Sequence, residues 1–198
     1  MPLIWNNQLE AYAETAPLPL YDPAIEAYRD TKGLLWDNEL EAWREVWPSR
    51  PEVLHLYNQG DECTDITGGW RAYPYQLSGW GGALAPTLIK GSSSMDASLS
   101  GAYTGAVATV RAIPMDGYSK LYALVSSATQ MHTGTSLCTA PVTSGEASET
   151  GCTTIATHGE TVTDKEICID ISQISGTQHV IFRLVSSCNI TIKQVWLE

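Results

Sequence analysis

The sequence predicts an all-β protein: an antiparallel two-sheet sandwich of jelly-roll type, preceded by an N-terminal arm of three short aromatic repeats. Three observations carry this. One aromatic phrase recurs three times within residues 1–51. Residues 52–198 hold eight or nine short runs of alternating apolar residues, separated by Gly, Ser, Asn and Asp. No comparable helical periodicity interrupts those runs.

The repeated phrase reads IWNNQLEAYAE over 4–14, LYDPAIEAYRD over 20–30 and LWDNELEAWRE over 35–45. Its pattern is aliphatic, aromatic, Asn/Asp, two variable positions, aliphatic, Glu, Ala, aromatic, variable, acidic. Two structures satisfy it. Trp36, Leu40, Trp43 and Trp47 have the spacing of one helix face, and Asp22-Pro23 reads as an N-cap followed by proline at the first helical position. Alternatively each unit is a hairpin, with Leu35-Trp36 and Ala42-Trp43-Arg44 as strands and Asp37-Asn38-Glu39 as the turn. Asp or Asn after the first aromatic in every copy favours hairpins, whereas the Ala and Glu content favours helix. Neither form buries both aromatics of a unit alone. Trp5, Tyr12, Tyr21, Tyr28, Trp36, Trp43 and Trp47 are therefore expected to anchor the arm to other units, to the main domain or to a partner.

Pro48-Ser49-Arg50-Pro51 reads as a linker, since two prolines disfavour both helix and central strand. The expected domains are thus the arm, 1–51, and the sandwich, 52–198. Its strand candidates are Val53–Tyr57, the weaker Ala83–Ile89 and Ser98–Ser100, then Gly105–Arg111, Lys120–Ser126, Thr153–Ala156, Glu166–Asp170, His179–Val185 and Asn189–Leu197. Met131–Thr150, poor in apolar residues, reads as one long exposed loop. Between arm and strands lies an aromatic, glycine-rich junction, Leu56–Gly82, in which Gly68-Gly69 and Gly81-Gly82 read as turns.

At 198 residues with 43% hydrophobic content, the chain supports one full core and a small appendage. Twenty-two acidic against 11 basic residues leave a formal charge of -11, which repels phosphate backbones and anionic membrane surfaces. Nucleic acid and membrane insertion are therefore not expected. The N-terminus lacks a basic region followed by an apolar run, so no signal peptide is expected and synthesis is placed in the cytoplasm. Seven Trp and nine Tyr against one Phe favour half-exposed surfaces over dry ones. Cys63, Cys138, Cys152, Cys168 and Cys188 show no metal-ligand spacing, and reduced thiols are expected, with a Cys138–Cys152 pair as the alternative.

No catalytic constellation stands out, and no cofactor or metal is expected. His55, His132, His158 and His179 occur singly, with no nucleophile motif beside them. Asp61, Glu62, Asp65, Asp96, Asp116 and Asp170 offer carboxylates for a glycosidase pair, and the first three for calcium, but the spacing of those three matches no EF-hand loop. Binding is better served. Trp70, Tyr73, Tyr75 and Trp80 sit among glycines, with polar neighbours suited to sugar hydroxyls, although Trp70 and Trp80 also suit a lid over the core.

The units LIWNNQLEAY and LLWDNELEAWRE resemble short aromatic elements in virion proteins of phages and prophages of Firmicutes. LYNQGDECTDITGGW, DISQISGTQHVIFRL and the closing ITIKQVWLE are similar to the C-terminal sandwich domains of tail or fibre-type proteins from the same source. AVATVRAIPMDGYSKLYALVSS resembles the strand-turn-strand text of carbohydrate-binding modules with a galactose-binding-like or jelly-roll fold. The resemblance implies a non-enzymatic virion structural protein: a tail or head fibre, decoration or baseplate component. Residues 1–51 would anchor it to other virion proteins, it would oligomerise, as a trimer for instance, and its sandwich would meet host-surface glycans. A stand-alone carbohydrate-binding module is the alternative.

Overall fold

The structure is a computed structural model. It describes residues 3–6, 11–14, 20–22, 27–29, 33–37, 42–46, 53–127, 131–132, 134–143 and 145–198. The chain divides into two compact units, Met1–Glu52 and Val53–Glu198.

In the first unit every repeat copy is an antiparallel hairpin: β1 (Leu3–Asn6) with β2 (Ala11–Glu14), β3 (Leu20–Asp22) with β4 (Ala27–Arg29), and β5 (Gly33–Asp37) with β6 (Ala42–Val46). The helical alternative is thereby excluded for the stretch around Trp36 and Trp43. Register explains the repeat. Its two aromatics are seven positions apart in each copy, and they become Cα partners across the hairpin: Trp5 with Tyr12, Tyr21 with Tyr28, Trp36 with Trp43. Such directly opposed aromatic pairs are the unit by which short hairpins gain stability. Trp47 and the 48–51 linker lie outside the described residues.

The second unit is a sandwich of two six-stranded antiparallel sheets. Its strands in chain order are β7 (Leu54–Asn58), β8 (Trp70–Pro74), β9 (Thr87–Lys90), β10 (Met95–Leu99), β11 (Thr104–Thr109), β12 (Ile113–Pro114), β13 (Lys120–Ser127), β14 (Ser136–Ala140), β15 (Gly151–Thr154), β16 (Lys165–Asp170), β17 (Thr177–Val185) and β18 (Cys188–Leu197). One sheet runs β16-β13-β18-β10-β9, with β7 pairing the far end of β18. The other runs β15-β14-β17-β11-β8, with β12 pairing β17. A single turn of helix, α1 (Thr64–Thr67), follows β7. Among the described residues no helix is long and apolar enough to cross a membrane.

Alternation builds the core, because successive strand residues face opposite sides. Leu121, Ala123 and Val125 of β13, with Ile190, Ile192, Val195 and Leu197 of β18, meet Val107, Leu137, Val180, Phe182 and Leu184 from the other sheet. Trp70 is fully buried there, its ring 5.9 Å from that of Phe182 and its Nε1–H donating to the Leu56 carbonyl at 3.1 Å.

Two expectations are corrected here. Met131–Thr150 is not one exposed loop, since Ser136–Ala140 is β14, an interior strand buried at every residue. Its polar residues suggest a loop in sequence, yet their hydroxyls find partners inside. Ser136 Oγ donates to the Gly134 carbonyl at 3.0 Å, and the hydroxyls of Thr139 and Thr150 meet at 3.2 Å. Nor are all cysteines reduced: β14 and β15 place Cys138 opposite Cys152, and the two form a disulfide, leaving Cys63, Cys168 and Cys188 free.

Candidate functional site

Strand register collects five connections at one end of the sandwich. The chain leaves β8 at Pro74, opposite Gly105, and β11 starts at Thr104, opposite Val185. β10 ends at Leu99 opposite Cys188, β13 ends at Ser127 opposite Ile190, and β14 starts at Ser136 opposite both Arg183 and Thr154. The segments after β8, β10, β13, β15 and β17 are thus neighbours, although up to about a hundred positions separate them in the chain.

A cleft of about 150 Å³ opens among these segments, lined by Met131, His132, His158, Gly159, Ser186 and Ser187. Trp80 meets the His132 ring edge to face, with centroids 4.7 Å apart and planes at 89°. The His158 ring lies 5.0 Å from that of His132 at 70°. Tyr103 adjoins this cluster: its carbonyl accepts the Ser186 N–H at 2.9 Å and its side chain is 44% exposed. Ser186 itself has φ 61°, a conformation unusual for a residue with a side chain. Ser187 Oγ accepts the Gly101 N–H at 2.9 Å and ties two of the five connections together.

The four aromatics read from the junction do not form one surface. Trp70 opens β8 and is sealed in the core, whereas Trp80 lies beyond the other end of the strand, half-buried beside the cleft. Tyr75 is fully buried: its hydroxyl donates to Glu149 Oε1 at 2.5 Å, and Arg183 Nη1 donates to the same oxygen at 2.7 Å. Burial and the Glu149 carboxylate both push the Tyr75 phenol well above its usual range, so it stays a donor. Tyr73 is half-buried on the same outer face, opposite Ala106. Of the four, Trp80 alone contacts a residue of the cleft wall, His132. Tyr103, His132 and His158 do not stand out as a group in the sequence, because they are lone residues scattered over 55 positions and only the tertiary register unites them.

The scattered acids serve separate contacts in turns and between strands. Asp61 Oδ1 accepts the Cys63 N–H, Asp116 Oδ1 that of Gly176, and Asp170 Oδ1 that of Ser172, while Asp96 Oδ1 accepts the Thr191 hydroxyl. Glu62 Oε2 accepts the Trp70 N–H at 3.0 Å and pairs with Lys90 Nζ at 2.7 Å. Burial raises the Glu62 carboxyl, but the Lys90 ammonium and the Trp70 N–H outweigh it and hold the group below its ordinary range. Asp65 contributes its backbone carbonyl, which accepts from Arg111. His55 lies exposed on β7, and His179 Nδ1–H donates to the Thr109 carbonyl at 2.8 Å. Among the described residues, Cys138, Glu149 and Cys152 bring three metal-type ligand atoms together. The two sulfurs are already bonded to each other, however, and Glu149 is engaged by Tyr75 and Arg183.

No protein-family model and no curated protein matches this chain. Among solved structures it is similar to the K1 cleaved adhesin domain of Lys-gingipain from Porphyromonas gingivalis W83, with a TM-score of 0.39 and 16% identity over 65% of this chain and 89% of that one. It is also similar to CBM86, a low-affinity xylan-binding module from Roseburia intestinalis, with a TM-score of 0.36 and 8% identity over 65% of this chain and 94% of that one.

Proposed function

We propose that this protein is a non-enzymatic glycan-binding sandwich carried on a structural arm, a virion surface component of fibre, decoration or baseplate type. One observation carries the binding role: Trp80 packs on His132, and His132 and His158 line a cleft with serines in its wall. Aromatic faces suit the apolar faces of sugar rings, and hydroxyls and imidazoles suit their equatorial oxygens. The cleft volume is about half the lower bound of roughly 300 Å³ for pockets that enclose drug-sized ligands. It therefore fits a chain end or a single ring better than a long polysaccharide.

The arm supports the structural half of the reading. Its hairpins carry aromatics at paired positions, and the phrase that encodes them resembles virion-protein text. Hairpins of three to five residues per strand are marginal in water and gain stability from a surface that covers them. Three copies of the arm, packed about a symmetry axis or seated on a virion partner, supply that surface. The particle would be assembled in the host cytoplasm and act outside it, where the Cys138–Cys152 bond persists.

A glycan array on the full chain tests the binding role. Selective binding to a small set of terminal sugars is expected, and a silent array would remove the glycan reading. Sedimentation of the full chain and of a Trp5→Ser, Trp36→Ser, Trp43→Ser variant tests the arm. The wild type should associate and the variant should not; a wild type that sediments as a monomer at every concentration would remove self-association.

A further inference from the structure

Trp80 rides on a loop, residues 76–82, whose two ends are held by one buried side chain. At the near end the Tyr75 carbonyl accepts the Thr104 hydroxyl at 2.5 Å, and at the far end the Gly82 carbonyl accepts the Thr104 N–H at 3.0 Å. The Thr104 carbonyl accepts the Leu84 N–H at 2.8 Å as the chain moves on. Thr104 is fully buried at the first position of β11, opposite Val185, and the next residue, Ser186, lines the cleft. Hydroxyl, amide and carbonyl of a single residue thus close the neck of the loop on the sheet. Just past the neck, a Cβ on Gly105 would come within 2.2 Å of the Leu84 carbonyl, so this close approach requires glycine there. Compact loops with touching ends are a form in which binding residues are often presented.

The loop cannot fix its own tryptophan. Gly79, Gly81 and Gly82 flank Trp80 and leave its backbone many conformations, so the pose of the indole on His132 has to be set from outside the loop. Two other ties join Gln76 and Ser78 to Glu146, but both are 3.3 Å long and Glu146 is exposed. The Thr104 bonds are shorter and shut away from water, where an unmade hydrogen bond costs most. We propose that Thr104 is a positioning residue of the glycan site: its hydroxyl closes the neck of the loop and so holds the Trp80 indole against His132. The glycan reading supplies what the indole would bind; how the indole is held does not depend on it.

Thr104→Val, which keeps the branched shape and the amide but loses the hydroxyl, and Thr104→Ser, which keeps the hydroxyl, test it in the full chain. The readouts are the Trp80 indole N–H resonance, identified by its loss in Trp80→Ala, and the signal on an array printed with terminal mono- and disaccharides. Thr104→Val should move or broaden the indole resonance and lower the array signal about tenfold, and Thr104→Ser should restore both. An indole resonance that Thr104→Val leaves in place, or that Thr104→Ser shifts equally, would overturn the proposal. Should Thr104→Val unfold, hydrogen exchange in the wild type decides: the Thr104 and Leu84 amides should be protected, and free exchange at both would overturn the clamp. A wild-type array that stays silent would remove the sugar reading, and the indole resonance alone would then judge the clamp.

Discussion

Trp70 and Trp80 stand ten positions apart in one glycine-rich stretch, yet the fold uses them in opposite ways. Trp70 opens β8, with Ala72 and Tyr73 continuing its alternation, and every face of its indole is covered. Trp80 is flanked by Gly79, Gly81 and Gly82, has no strand neighbours, and remains half-buried against His132. The difference teaches that the place of an aromatic in glycine-rich text is set by the residues on either side of it. Continued alternation draws it into the core, and flanking glycines leave it at the surface.

Breaking that contrast at its core end has the largest expected effect. Trp70→Ala should lose about 3–5 kcal/mol, because it empties a large core site and leaves the Leu56 carbonyl unpaired. A chemical denaturation midpoint reads this directly. Nearly as large, Glu149→Ala should cost about 3 kcal/mol by stranding the nearly buried Arg183 guanidinium and the Tyr75 hydroxyl. Glu149→Gln, which can still accept from one of them, should recover part of the loss.

A smaller effect separates the ends by pH. The Glu62 carboxylate, bonded to Lys90 and to the Trp70 N–H, titrates lower in the folded chain than in the unfolded one. Its contribution to stability is therefore fully present above the ordinary carboxylate pKa of about 4.3, and is lost as pH falls through the lower folded value. Glu62→Gln should flatten the acid limb of a melting-temperature profile between about pH 5 and pH 2, to the extent of that group. Asp164, with its Lys193 and Ser126 partners, and the turn carboxylates Glu160 and Asp170 are depressed in the same direction and should account for the slope that remains.

Much of the sandwich is legible in the sequence because period-two alternation is written in neighbouring residues. Glu166–Asp170, His179–Val185 and Asn189–Leu197 correspond to β16, β17 and β18 with ends shifted by one or two positions. β14 is illegible for the opposite reason: Ser136, Cys138 and Thr139 are small and polar, and their burial depends on partners far away in sequence. The arm is half legible. Its repeat is plain, but the choice between helix and hairpin turns on which residues lie opposite one another, and the seven-residue spacing of the aromatics settles that only once a register is seen. The cleft is the least legible, since Trp80, His132 and His158 share no local motif and meet only through strand order.

The most direct measurement sets the two tryptophans side by side on the surface end. Trp80→Ala is compared with the wild-type full chain for thermal stability and for glycan-array binding. The expected result is a melting temperature within a few degrees of wild type, from a stability change of about 1 kcal/mol or less, together with loss of the selective glycan signal. A Trp80→Ala chain that unfolds as Trp70→Ala does, or one that binds the same glycans as the wild type, would contradict the assignment of Trp80 to a binding surface.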